Sequence, residues 1–247
     1  MTFISAKTGQ FRYFDAQLGH PDWAGRKVLD FGGNAGAFLD GAGDRIQPSD
    51  YWCLDVSRAA VAEGRRRRPQ AHWVHYDRYN PQFNPEGVHR LPLPGLGARF
   101  DYVLAYSVFT HLSDDEAVEL VGGLRSMLAD DGVLAFTFMD PAWSPPAGRG
   151  TPNVRWRLGS WPGRTAYGGV AVPEHQDPVT DRACGASWCA IVDHTVHFDA
   201  RTPVPACGRY EVFWSVEHAR SLFPAAEVRA PVEPERQHCC LVGGASS

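Results

Sequence analysis

From Asp30 to Gly36 the chain reads Asp-Phe-Gly-Gly-Asn-Ala-Gly. Gly32, Gly33 and Gly36 allow the backbone to turn sharply and approach a ligand closely, and the helix expected to follow offers unpaired N–H groups. The spacing is G-x-N-x-G rather than the G-x-G-x-x-G of dinucleotide-binding dehydrogenases, which disfavours a nicotinamide cofactor. Roughly 20 residues on, Asp55 closes a second apolar run, where a carboxylate can accept hydrogen bonds from both hydroxyls of a ribose. The pair of signals implies an adenosine-type ligand. Each alone has a plainer reading: a tight βα turn, and an aspartate that caps the helix beginning near Ser57.

Two other groups of side chains could do chemistry. Cys184, Cys189, His194 and His197 fall close together, and thiolate with imidazole suits zinc. Their spacing lacks the usual knuckle, and if CAIVDHTVHFD is one strand, His194 and His197 point to opposite faces. No metal site is expected. Cys239 and Cys240 are read as core of a last strand. Trp143, Trp156, Trp161, Trp188, Tyr167, Tyr210 and Phe198 are concentrated between residues 141 and 210, with Arg155, Arg157 and Arg164 among them. They suit the wall of an acceptor pocket with cations to hold a carboxylate, or a packed structural flap.

The elements that must position these groups alternate regularly. Lys27 to Phe31 reads as a strand that enters the glycine turn and a helix. Tyr51 to Val56 is a second strand, followed by a helix capped by Ser57, and Ala71 to Tyr76 a possible third. Asn80 to Gly97 is loop. Phe100 to Tyr106 is the clearest buried strand. Ser113 to Ala129 reads as a helix opened by a Ser113/Glu116 capping box and stopped by Gly132, and Val133 to Met139 as another strand. Such alternation predicts a doubly wound, mostly parallel sheet covered on both faces. The pattern fails over 141 to 210, taken as an insertion. It returns with a helix at Ser215 to Leu222 and strands at Ala226 to Val232 and His238 to Gly243, an antiparallel edge pair. The division expected is a cap segment at 1–25, an α/β core at 26–140, the insertion as an acceptor-site lid, and 211–247 completing the core.

In this order the motifs resemble those of class I S-adenosylmethionine-dependent methyltransferases, of the small-molecule type. VLDFGGNAGAFL is similar to their first motif, and FDYVLAYSVFTHLSDDEAVELVGGLRSMLADDGVLAFTF to the block from their fourth strand through their fifth. The chain departs from the pattern at Asn34, where the family has its second glycine, and at Asp130-Asp131-Gly132, where it usually has P-G-G. Asparagine tolerates left-handed backbone and can keep the turn. The resemblance implies a seven-stranded Rossmann-like sheet and a cofactor site of Asp30, Gly32, Gly33, Asn34, Gly36, Asp55 and Val56. It adds Asp77 toward the adenine amine, and Tyr106 and Ser107 toward the methionine portion. The cofactor implied is S-adenosylmethionine, with S-adenosylhomocysteine as product.

The implied reaction is methyl transfer to O or N of a small, aromatic or biosynthetic acceptor. His111 emerges from the loop after the fourth strand, at the carboxyl edge where the sulfonium is expected. With an ordinary pKa near 6.5 it can accept the nucleophile's proton or orient the nucleophile. Tyr13, Trp143, Arg155 and Arg157 are the acceptor-binding candidates. Phe11, Tyr13 and Phe14 either cover the sulfonium with aromatic faces or form the core stripe of a helix.

Composition bounds the alternatives. A formal net charge of -4 gives no field to attract nucleic acid, and the run Arg65 to Arg68 is read as a solvated helix face. No apolar run reaches the length of a membrane helix, the N-terminus carries no export signal, and six cysteines are too few for a disulfide scaffold. A cytoplasmic protein is expected, with a homodimer left open. The rival functions are an RNA or protein methyltransferase, and a cofactor-binding protein without methyl transfer.

Overall fold

The computed structural model describes residues 9–80, 83–140, 188–192, 195–197, 210–232, 235 and 237–243. For 188–192, 195–197 and 210–213 the description is of the backbone.

Each predicted apolar run of the core forms a strand: β1 (Val28–Phe31), β2 (Tyr51–Asp55), β3 (His72–His75), β4 (Phe100–Ala105) and β5 (Leu128–Phe138). Near the C-terminus come β9 (Glu227–Arg229) and β10 (His238–Gly243). These seven make one sheet in the order β3-β2-β1-β4-β5-β10-β9. β1 to β5 run parallel, and β10 pairs antiparallel with both β5 and β9. The doubly wound sheet and its antiparallel edge pair are as expected.

Alternating side chains feed two cores, one on each face of the sheet. Leu29, Val103, Phe136 and Cys240 face one; Val28, Leu104, Ala135 and Cys239 face the other. The second face is covered by α1 (Gly9–Gln17), α2 (Ala37–Ala42) and α3 (Arg58–Arg67). The first is covered by a 3-10 turn at Phe109–His111, α4 (Asp114–Arg125) and α5 (Val216–Leu222). Ser57 caps α3, Ser215 caps α5, and Ser113 with Glu116 closes the capping box of α4. Cys239 and Cys240 are fully buried core residues.

Five expectations need correction. The helix expected to reach Ala129 ends at Arg125, and β5 starts at Leu128 rather than Val133. Phe100 pairs with Leu128 but Tyr102 with Val133, so the extra residues of β5 bulge out of the ladder. Gly132 therefore does not stop a helix: a Cβ there would lie 2.6 Å from the Phe100 carbonyl oxygen, and glycine is what admits the approach. Within the insertion, β6 (Trp188–Val192) and β7 (Thr195–His197) are two antiparallel strands, not one. The polar pair Asp193-His194 separates them in sequence. With β8 (Tyr210–Trp214) they form a second sheet, ordered β7-β6-β8. Finally, the arginine run is more than a solvated face. Arg66 pairs with Glu63 on its own helix, but Arg67 and Arg68 both reach Asp40 of α2, and Arg65 donates to the Trp73 carbonyl.

Candidate functional site

The glycine turn stands at the carboxyl end of β1. Gly32, Asn34 and Gly36 all have positive φ, at 76°, 55° and 85°. Asn34 thus takes the left-handed conformation that its place in the motif requires, and its own Oδ1 accepts from the Ala35 N–H at 2.8 Å. The turn is wedged from three sides. Asp30, 2% exposed, lies under Gly33 and accepts from the Tyr51 hydroxyl at 2.6 Å. Burial, then the Asp30 charge, pushes the Tyr51 phenol well above its usual range, so it stays a donor. Val108 packs against Gly32, and a Cβ on Gly36 would lie 2.6 Å from the Trp73 ring. Asp30 consequently supports the turn from beneath.

Asp55, at the end of β2, spans the turn and the next helix. Its Oδ2 accepts from the Asn34 N–H at 2.7 Å and its Oδ1 from the Ser57 N–H at 2.7 Å. Asp55 thus orders the entry to α3, as the plainer reading has it, and its carboxylate lies beside the glycine turn. Burial, followed by the charges of Asp30 and Asp55, raises the Cys53 thiol well above its usual pKa, so it is an inert neighbour. Val56 is half-buried, its carbonyl facing His75 Nε2 at 3.1 Å. Asp77 follows β3, exposed, and accepts from the Asn84 side chain at 3.1 Å.

Past β4 the chain turns at Ser107, a non-glycine residue with φ 58°, a strained conformation of the kind found at functional sites. A hydrogen-bond network fixes it. The Ser107 N–H donates to Thr137 Oγ1 at 2.8 Å, the Gln237 amide donates to Ser107 Oγ at 3.1 Å, and the Thr137 hydroxyl donates to Gln237 Oε1 at 2.5 Å. Tyr13 donates from its hydroxyl to the Gln237 carbonyl at 2.7 Å, and Tyr106 donates to Glu235. Tyr13 is 2% exposed, packed edge-on against Tyr106, while Phe11 and Phe14 pack on Phe38. All three aromatics of α1 belong to the core stripe. His111 ends the 3-10 turn at this same edge, half-buried, with the exposed Phe83 ring edge-on at 6.0 Å.

The structure therefore brings the glycine turn, Asp55, Tyr106, Ser107 and His111 to one edge of the sheet. Trp143, Arg155, Arg157, Cys184 and His194 lie outside the described residues, as do the side chains of Cys189 and His197. Among the described residues no group of three or more His, Cys, Asp or Glu is arranged to hold a metal ion. Sequence reasoning missed Trp73, Thr137, Gln237 and Glu235. Thr137 is the one hydroxyl in the apolar run VLAFTFM and Gln237 the residue before the last strand, the only signals available. Also missed was Arg78, buried and paired with Glu119 at 2.9 Å. A cavity of about 710 Å³ between α4 and the loop at 92–99, lined by Leu93, Leu96, Met127 and the Glu119 that pairs with Arg78, opens near the amino end of β4, with none of the glycine turn, Asp55, Ser107 or His111 in its lining.

Residues 29–134 match the family model of a methyltransferase domain. No curated protein sequence matches the chain significantly. Among solved structures, a glycopeptide N-methyltransferase, MtfA, in complex with sinefungin is similar at 16% identity and TM-score 0.56, covering 97% of this chain and 94% of that one. An S-adenosylmethionine-dependent methyltransferase from Clostridium acetobutylicum is similar at 9% identity and TM-score 0.56, covering 96% and 92%. The pyocyanin biosynthetic protein PhzM gives 15% identity and TM-score 0.54; the match covers 96% of this chain but about half, 54%, of that protein. At such identities the likeness is one of fold.

Proposed function

We propose that this chain, whose residues 29–134 match the family model of a methyltransferase domain, transfers the methyl group of S-adenosylmethionine to oxygen or nitrogen of a small acceptor. The observation that carries the reading is the Asp55 carboxylate, held 2.7 Å from the Asn34 N–H beside a turn with three positive-φ residues. That cradle fits a nucleoside: the glycines permit close approach, and Asp55 supplies the acceptor for ribose hydroxyls. Asp77 stands on the adenine side, and Tyr106 with Ser107 on the methionine side.

When bound, the cofactor supplies a methyl group on a sulfonium, a donor that needs no metal. The residues must hold a nucleophile in line and keep water away. Ser107, locked by Thr137 and Gln237, fixes the path of the loop that carries His111 to the edge. His111 accepts the proton of a hydroxyl nucleophile or orients an amine.

Isothermal calorimetry with S-adenosylmethionine tests the proposal. Asp55→Ala removes the acceptor for the ribose hydroxyls and is expected to weaken binding about 100-fold. Unchanged affinity would mean that the carboxylate only orders the glycine turn and the entry to α3.

A further inference from the structure

The cofactor proposed above carries two positive centres, a sulfonium and an α-ammonium group, and the second has N–H bonds that a charged acceptor satisfies best. Asp30 is not placed to be that acceptor: it is 2% exposed, turned beneath Gly33 toward the Tyr51 hydroxyl. Asp55 stands on the ribose side, bonded to the Asn34 and Ser57 N–H groups. Glu235 stands on the methionine side. Its Oε2 accepts from the Tyr106 hydroxyl, and its Oε1 lies 2.8 Å from where a Cβ on Gly9, the first residue of α1, would stand. Two residues on, Gln237 bonds both Thr137 of β5 and Ser107, which draws the segment leading into β10 across the ends of β5 and β4. Tyr106 and Ser107 run into Val108, whose side chain packs against Gly32 of the glycine turn. The carboxylate is thus bonded to the start of a short run that ends against that turn. Gly32, Asn34, Tyr106, Ser107 and Glu235 are all partly exposed, so a ligand can reach them from solvent. Among the described residues no cation pairs with Glu235. Half-burying a carboxylate costs free energy unless donors or a cation compensate, and the tyrosine hydroxyl fills only one of its about four lone-pair sites.

We propose that Glu235 binds the α-ammonium group of S-adenosylmethionine, its carboxylate accepting the N–H hydrogen bonds while the Tyr106 hydroxyl fixes its orientation. The proposal rests on the methyltransferase reading and adds to it the residue that takes the cofactor's amino group. The sulfonium has no N–H or O–H to donate, so the ammonium is the positive centre that gains both charge and hydrogen bonds from a carboxylate. S-adenosylhomocysteine keeps the amino group and so keeps this contact, although its sulfur is neutral.

Calorimetry with three ligands tests it: S-adenosylmethionine, S-adenosylhomocysteine, and methylthioadenosine, which has the nucleoside and the sulfur but no amino-acid portion. Glu235→Gln keeps the size of the side chain and an oxygen for the Tyr106 hydroxyl but removes the charge. It is expected to weaken S-adenosylmethionine and S-adenosylhomocysteine alike by about tenfold or more, and methylthioadenosine by no more than about twofold. Methylthioadenosine binding doubles as the check that the variant is folded. Equal weakening of all three ligands would make Glu235 a residue that only braces Tyr106, and weakening of S-adenosylmethionine alone would set it against the sulfonium; either result overturns the proposal. So does unchanged affinity for all three, which would leave the carboxylate no part in cofactor binding. Failure of the parent to bind S-adenosylmethionine would instead overturn the methyltransferase reading, and this one with it.

Discussion

Asn34 shapes the turn of the proposed cofactor site and His111 its proposed proton transfer, and each can be probed without disturbing the other. Asn34 keeps a left-handed turn, φ 55°, at a position where a side chain is normally disfavoured, and its N–H reaches Asp55. Glycine can make the same turn, so Asn34→Gly should leave S-adenosylmethionine affinity within about threefold of the parent. Valine is β-branched and resists that conformation by about 1–2 kcal/mol, so Asn34→Val should weaken binding roughly tenfold. Calorimetry that shows no difference between the two variants would mean the turn does not touch the ligand. His111 differs in kind, since its basicity is at stake and not its shape. His111→Gln keeps a similar size and hydrogen-bonding capacity but cannot take up a proton. A fall in kcat of about two orders of magnitude with cofactor affinity intact is expected for a general base. Parental kcat would remove that role, and lost cofactor affinity would make His111 a residue that fixes the turn.

At the scale of elements, the indole of Trp73 on β3 binds a helix and a turn into one unit. It is 5% exposed, donates from Nε1 to the Arg68 carbonyl at 2.9 Å, and fills the space over both Gly64 of α3 and Gly36 of the ligand turn. Alanine ordinarily favours a helix over glycine by about 1 kcal/mol. At position 64 its methyl would fall inside the ring, and overpacking of that kind costs about 1–3 kcal/mol. Gly64→Ala is therefore expected to lower stability in urea unfolding and, by shifting Trp73 against Gly36, to weaken cofactor binding too; a stabilised variant would show that the indole can move freely. These contacts also mark what could be read in the sequence. The βα units are legible because each signal is local: an apolar run, then a glycine turn or a capping serine, and for α4 a box closed within four residues. The start of β5 is not. Leu128 to Gly132 is mostly polar and small, and becomes strand only through its distant partner Phe100. The glycine turn and Asp55 were found, yet the bonds that fix Ser107 were not, because Gln237 is 100 residues from Thr137 and 130 from Ser107.

Across the whole molecule, a few polar side chains join the helices on the first face of the large sheet to β8 of the smaller one. Asp114, at the start of α4, accepts from Trp214 Nε1 at 3.1 Å and faces His218 Nε2 of α5 at 2.8 Å, so one carboxylate joins two helices and β8. The Trp214 N–H also donates to the Met139 carbonyl at 2.8 Å, which ties β8 to the end of β5. His238 sits beside this junction. Its pKa is lowered from 6.5 to about 4, with burial as the sole cause. Above pH 6.5 the imidazole is neutral in both folded and unfolded chains and contributes no pH dependence. As pH falls from 6.5 toward 4, the unfolded chain takes up a proton at this site while the folded one does not, and stability drops. Below about pH 4 both states are protonated and the deficit stops growing, at about 3 kcal/mol. Carboxylates titrate over part of the same range, so the parent alone would not isolate the effect. Urea unfolding of the parent and of His238→Leu, each measured from pH 7.5 to 4, separates it, because the other groups are common to both proteins. The two stability curves should converge toward neutral pH, apart from a constant offset, and diverge by about 3 kcal/mol toward pH 4, with the parent falling faster. Parallel curves across that range would mean that the His238 ring takes up its proton in the folded protein as readily as in the unfolded chain.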